Sequence, residues 1–341
     1  MPASDDGVGL AYPARDTTGW PAGMPLAARL RQRRPVPAAP TDLGDLGRHL
    51  RATARLADLD ELDAAEEACA AAVETAATWR SPGALAAIRS LRSSVFRRRG
   101  RLAAAEADGR AATELLAAAG ADPHGDAAAL LAARRIAVRL DTGDIAGAEH
   151  LVRGFDRDLP DNAGAVALRY SRGRLHAAAG RLGEGLADLF SCGERLAARG
   201  ADRPLGPPWR SEAAAVLAAT GSTEAAARLV AAEVAANRRA GTASALGRSL
   251  RIQGMVLDGP GGMAALDEAV RVLTHSPRRF EYAQALVDFG LRLTAARRRP
   301  EGRRVLRAGM DLAAQCGSPA LAERARAGYA AAGGKPRPSA P

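Results

Sequence analysis

Between Thr41 and Ala332 the sequence is cut by a short turn about every forty residues, and after each cut it resumes in the same way. The turns fall at Asp60, Gly100, Gly143, Gly180, Gly221, around Gly259–Gly262, and at Arg297. The segments after them read ELDAAEEACAAAV, RLAAAEADGRAA, DIAGAEHLVRGF, RLGEGLADLFSC, STEAAARLVAAE, MAALDEAVRVL and RRPEGRRVLRAG. A fixed period of roughly 20–50 residues marks stacked supersecondary units. One such unit cannot bury its apolar side alone, so its neighbours must cover it.

The clearest unit runs from Ala167 to Gly200, ALRYSRGRLHAAAGRLGEGLADLFSCGERLAARG. It reads as two amphipathic helices joined at Ala179-Gly180-Arg181. In the first helix Leu168 and Leu175 lie one heptad apart with Gly173 between them. In the second, Leu182, Leu186, Leu189 and Phe190 form one apolar stripe at helical period. A glycine inside a helix costs ~1 kcal/mol relative to alanine, so Gly173 and Gly185 imply two helices too close for a Cβ.

Apolar residues make up 47% of the 341, but aromatics only 4%, so alanine and leucine must build the core. No run has the valine, isoleucine and aromatic content of a strand. The expected class is therefore all-α, an α-solenoid of about seven helical hairpins, whose length is not limited by the size of a single core.

Five segments follow from the punctuation. Residues 1–40 carry proline and glycine throughout and are expected to be disordered or loosely ordered. Residues 41–200 form an N-terminal block of repeats. The stretch 201–208, ADRPLGPP, has three prolines and a glycine and cannot be helical. A C-terminal block follows over 209–332, interrupted at Asp258–Gly262, and residues 333–341 are an expected disordered tail.

The net charge of +10 raises nucleic acid as a partner. Yet Lys335 is the only lysine, and many arginines close helices: Arg97-Arg98-Arg99, Arg199, Arg238-Arg239 and Arg297-Arg298. Cations there meet the negative end of the helix dipole. Asp144, Glu184, Ser222 with Glu224, and Glu301 correspondingly open second helices. Nucleic acid is disfavoured as a partner of this chain alone.

No constellation carries enzymatic chemistry. His49, His124, His150, His176 and His275 are scattered without metal-ligand spacing. Asp58, Asp60, Glu61 and Asp63 read as a solvated helix start, and Ser211 in WRSE lacks a nucleophile elbow. Cys69, Cys192 and Cys316 read as buried thiols. No cofactor, metal or catalytic residue is assigned. No apolar run suits a signal peptide or a membrane span, so a cytoplasmic protein is expected. Trp209 and Arg210 stand out at the start of the helix after the proline-rich stretch. They read either as an anchor between the two blocks or as a ligand-facing pair.

The spacing within the units resembles the tetratricopeptide repeat. Gly173, Gly180, Gly185 and Leu189 fall on that family's small, turn, small and large apolar positions. Gly290, Arg297, Gly302 and Leu306 repeat the frame, and Ala105, Gly109 and Ala112 match its second helix. The period exceeds the family's ~34 residues. By this frame Tyr170 and Arg174, four apart on one helix face, would face a concave groove.

From Thr41 to Ala332, GRLHAAAGRLGEGLADLFSCGERLAARGA, PPWRSEAAAVLAATGSTEAAARLVAAEV and SPRRFEYAQALVDFGLRLTAARRRPEGRRVLRAGMDLAAQCGSPALAERARAGYAAAG resemble in order the helical-repeat region of the large ATP-binding, MalT-like regulators of the LuxR family. Pro208-Trp209-Arg210-Ser211 is the most specific piece. In that family the repeats lie between a nucleotide-binding module and a DNA-reading helix-turn-helix. This sequence has no G-x-x-x-x-G-K-[ST], and seven residues follow Gly334. The resemblance implies a non-catalytic sensory or scaffolding array that binds a protein partner or small effector in its concave groove. It would be a fragment, a truncated gene product or a free-standing relative of such a regulator. The alternative is a free-standing adaptor for protein–protein interaction with no transcriptional role.

Overall fold

The computed structural model describes residues 35–155, 161–202 and 206–334. Residues 1–34 and 335–341, on which most of the expectation of disorder falls, lie outside the described residues, as do 203–205 of the proline-rich stretch. Fifteen α-helices and no strand occur among the described residues. They form seven hairpins: α1 (Leu43–Asp58) with α2 (Leu62–Ala77), α3 (Pro82–Arg98) with α4 (Leu102–Ala118), α5 (Asp126–Thr142) with α6 (Ile145–Val152), α7 (Ala163–Ala178) with α8 (Leu182–Ala198), α9 (Trp209–Ala219) with α10 (Thr223–Ala240), α11 (Ala243–Val256) with α12 (Gly259–Leu273), and α13 (Arg279–Ala295) with α14 (Arg299–Cys316). A last helix, α15 (Pro319–Ala331), packs on the seventh hairpin. The all-α, tetratricopeptide-like solenoid is the observed fold.

All seven hairpin turns hold a residue in the left-handed region: Asp60, Gly100, Gly143, Gly180, Gly221, Gly259 and Arg297. Glycine takes this conformation without a Cβ clash, and it supplies five of the seven. Asp258–Gly262 does not interrupt the sixth unit. Gly259 makes the turn and Pro260 sits in the first turn of α12, where its missing N–H has no partner to lose.

Within the α7–α8 hairpin the backbones nearly touch. A Cβ on Gly173 would lie 2.8 Å from Leu189 Cγ and 3.1 Å from the Gly185 carbonyl; one on Gly185 would lie 3.0 Å from the Gly173 carbonyl. Leu168, Leu175 and Leu189 are fully buried there. The expected stripe of α8 is corrected at its edge. Its buried face runs through Gly185, Leu189, Cys192 and Leu196, while Leu182 and Leu186 are half-buried and Phe190 is exposed. The small residues at Gly185 and Gly193 draw the neighbouring helices onto that side, which rotates Phe190 outward.

The first helix of each hairpin also touches the first helix of a neighbouring one, so these helices line the inner side of the coil. The coil winds until its ends meet. Gly100 lies against Cys316 and the start of α13, and Gly143 against Ala320. Leu102 joins the apolar cluster of α13, α14 and α15, and Ser318 Oγ donates to the Asp141 carbonyl at 2.6 Å. Asp60, expected to be solvated, is instead buried in this seam. It accepts from Ser244 N at 3.0 Å, Ser244 Oγ at 2.7 Å and Arg278 Nε at 2.8 Å.

Removing one partner of a buried ion pair typically costs about 3–5 kcal/mol. Asp60→Ala should therefore lower the unfolding free energy by about 3–5 kcal/mol, read as a lower urea midpoint, as Ser244 and Arg278 lose their shared acceptor. An unchanged midpoint would mean that the two ends do not meet in solution.

Candidate binding groove

The inner helices meet the interior with charges of alternating sign. Arg97 on α3 reaches Asp141 on α5 at 2.6 Å. Asp141 is shared with Arg174 on α7 at 3.4 Å, and Arg174 Nε reaches Glu212 on α9 at 3.3 Å. Tyr170 Oη donates to the same Glu212 oxygen at 3.3 Å. Further round, Arg248 on α11 meets Glu281 on α13 at 3.1 Å, and Glu281 also meets Arg278, which ends on Asp60. These eight groups are four guanidiniums and four carboxylates, so the ladder carries no net charge.

Burial works against the charge on Arg174, but Glu212, Tyr170 and Asp141 outweigh it and hold the guanidinium firmly charged. Burial also pushes the Tyr170 phenol up, and the nearby Glu212 carboxylate adds to the effect. The same contest holds at Arg248, where Glu281 leads the groups that overcome desolvation. At this spacing, opposite charges in a partly dry interior hold each other ionised.

Beside Arg174 and Glu212 the inner wall opens into a cavity of about 310 Å³. Leu140, Ala177, Leu182, Ala215 and Val216 give it apolar walls. Ala178 and Ala219 are exposed at its rim. Alanine is what makes the room, because a larger side chain at Ala177 or Ala215 would occupy it. The cavity thus presents one guanidinium and one carboxylate on an otherwise apolar floor.

The four residues singled out from sequence fall into two adjoining places. Tyr170 and Arg174 sit together on the groove ladder. Trp209 and Arg210 sit at the start of α9, where Trp209 packs on Gly193 so closely that a Cβ there would come within 2.5 Å of the indole. Trp209 Nε1 donates to Asp202 at 3.2 Å, and Arg210 forks onto the same carboxylate while lying over the indole ring. Asp202 is desolvated, yet Arg210 and Trp209 still hold its carboxyl below the usual range. Phe190 meets the indole edge-on at 6.1 Å between centroids. Tyr170 and Trp209 pack against the same small cluster of Val166, Cys192 and Leu196, which joins the two places.

Sequence reasoning missed Glu233. Its carboxylate, on α10, accepts from Ser211 N at 2.9 Å and Ser211 Oγ at 2.8 Å. It therefore satisfies one of the free N–H groups in the first turn of α9. Ser211 is a capping partner here. Only the absence of a capping side chain at Pro208 hinted at such a need. Glu212, Arg248 and Glu281 were missed too, since each is one charge among many on an arginine-rich chain.

The other titratable groups are occupied locally. His49 is buried with its two ring nitrogens 2.9 Å from the Ala38 carbonyl and 3.1 Å from the Ala68 carbonyl. His176 lies beside Glu184 and Asp188, with burial lowering its pKa. Cys69 and Cys192 are buried thiols pushed up to about 12, and Cys316 to about 11, all by desolvation. Among the described residues no three metal-ligating side chains converge, and no helix is long and apolar enough to cross a membrane.

No protein-family model matches the chain, and no curated protein does. Solved structures match it. One is a Rap protein in complex with Competence and Sporulation Factor, at 12% identity and a TM-score of 0.62, covering 83% of this chain and 77% of that one. At that identity the likeness concerns the fold: a coil of helical hairpins of similar extent.

Two measurements probe the joint between the places. Trp209→Ala empties the seat on Gly193 and should cost about 3 kcal/mol, seen as earlier melting. Burial raises the Glu233 carboxyl above its ordinary 4.5. The folded state then holds that proton more tightly than the unfolded chain, so stability falls as pH rises from 4.5 through the folded value. Glu233→Gln keeps an acceptor for Ser211 N and should flatten that fall; an unaltered pH profile would remove Glu233 as its source.

Proposed function

We propose that the chain is a non-catalytic binding array that takes a segment of a partner polypeptide along its inner groove. What carries this reading is the cavity beside Arg174 and Glu212, set in a ladder of balanced charge. A peptide offers side chains of both signs and short apolar ones, which suits a site with one cation, one anion and alanine walls. A polyanion does not suit it, because the ladder holds as many carboxylates as guanidiniums. That the similar Rap protein was solved with Competence and Sporulation Factor supports the view that a coil of this kind accepts a bound factor.

The finer reading is that this array is the partner-sensing part of a LuxR-family, ATP-dependent transcriptional regulator. Its support is the order of the sequence segments and the Pro208-Trp209-Arg210-Ser211 piece. In-cell crosslinking should then recover a partner with a P-loop module or a DNA-reading helix-turn-helix. Stoichiometric recovery of a partner with neither favours the free-standing adaptor instead.

Random dodecapeptides displayed on phage and selected against the purified chain should yield binders whose affinity drops at least tenfold in Ala215→Phe. That substitution plugs the cavity without removing any charge of the ladder. Binders with equal affinity for both proteins would move the site off this groove.

A further inference from the structure

Most arginines of the fold are answered by carboxylates, but one stretch is not. Residues Arg297–Arg307 form the last hairpin turn and the first turns of α14. They hold six arginines against the single Glu301, a net charge equal to half of the +10 of the whole sequence. Arg298 pairs with Glu301, and Arg303 Nη1 donates to the Ala332 carbonyl at 2.8 Å. Arg297, Arg299, Arg304 and Arg307 are exposed and, among the described residues, form no ion pair, though the Arg304 charge helps hold the Glu301 carboxyl below its usual range.

Helix physics accounts for only part of this placement. Arg297 and Arg298 follow the C-terminus of α13, where cations are favourable, but Arg299 opens α14 against the dipole, with Arg303 and Arg304 in its second turn. Arg299, Arg303 and Arg307 are spaced four apart, where like charges repel. Arg297 holds φ +63° at a position where five of the other six turns use glycine. At the remaining exception, Asp60, the side chain is fully engaged by Ser244 and Arg278. Arg297 has no such side-chain contact; its backbone N–H closes the end of α13 onto the Thr294 carbonyl at 3.1 Å, the left-handed helix stop that glycine usually fills, and leaves the guanidinium free on the surface.

We propose that this arginine tip docks on a nucleic-acid backbone, meeting phosphates as a lattice of charge without reading bases. The surface has no apolar anchor: among the described residues the exposed large hydrophobics are Val36, Leu43, Phe190 and Met255, all outside it. A protein interface wants an apolar centre and a membrane-docking helix an apolar face; phosphate contact needs neither. Guanidinium forks match phosphate oxygens. From Arg299 to Arg307 the helix advances about 12 Å, over which one strand of duplex DNA presents a phosphate about every 3.4 Å. The site is separate from the groove and does not depend on what the groove binds.

The test is fluorescence anisotropy of the whole chain with a labelled mixed-sequence duplex of about 20 base pairs, titrated at about 50–200 mM salt. Four phosphate contacts give a slope of log K against log salt of roughly −3.6. Arg297, Arg299, Arg304 and Arg307 changed together to Gln should lower affinity at least tenfold and reduce the slope, with melting temperature unchanged or raised. Arg304→Gln with Arg307→Gln, both on the exposed helix face, serves if the fourfold variant folds poorly, and should lose about half the slope. Four exposed arginines elsewhere, Arg51, Arg55, Arg110 and Arg228, changed to Gln should leave binding within threefold. The proposal is overturned if the duplex does not bind or if both fourfold variants lose affinity equally. It is also overturned if poly-glutamate or phosphatidylserine vesicles bind the tip and the duplex does not.

Discussion

Two helices of a hairpin can lie against each other only as closely as their side chains allow, and here that limit is set by glycine and alanine. Where Gly173 faces Gly185 the backbones come within van der Waals contact. With 4% aromatic residues the chain has few large side chains to fill wider gaps. Close approach is therefore the condition under which its leucines bury fully, and dispersion contacts at that distance replace what bulky residues would supply. Fully buried alanines recur across the hairpins: Ala65, Ala105, Ala148, Ala213, Ala226, Ala269 and Ala313. Thin hairpins also stack with a tight curvature, and tight curvature is what brings the turns of the first three hairpins onto the last two and α15.

That closure turns the inner surface into a confined space, which changes what its charges do. On an open solenoid, Arg97, Arg174 and Arg248 would be solvated side chains worth little to stability. Inside the coil they are partly dry and each must face a carboxylate, which explains the alternation from helix to helix. The same confinement leaves a cavity where alanines of α7 and α9 meet. Charge balance and small apolar walls together favour a polypeptide segment over a polyanion in that space. The outer tip at Arg297–Arg307 obeys a different logic, with six arginines against one carboxylate. Interior and tip thus differ in charge balance, and a single net charge for the whole chain conceals the difference.

Trp209 shows how position in the coil decides the meaning of a residue. Its ring is seated on Gly193, its N–H is taken by Asp202, and Arg210 covers its face. Those contacts tie α8 to α9 across the proline-rich stretch, directly behind the groove residue Tyr170. The anchor and the groove are two sides of one small cluster of Val166, Cys192 and Leu196.

Much of the architecture is local and was therefore legible in the sequence. The seven turn positions, the glycine contact within α7–α8, the buried thiols and the all-α class all follow from patterns confined to one unit, where periodicity and backbone sterics act over a few residues. That Tyr170 and Arg174 share one helix face was legible because the repeat frame assigns a face to each position. Tertiary structure alone decided the rest. Asp60 meets Arg278 across 218 positions of sequence, and Glu233 caps a helix from another one. Phe190 turns outward although its spacing says inward. Such contacts depend on the pitch of the coil, which is the sum of small rotations between units. No single unit carries that sum, so the chain's own order of residues determines the hairpin, and only their accumulated stacking determines which charges meet.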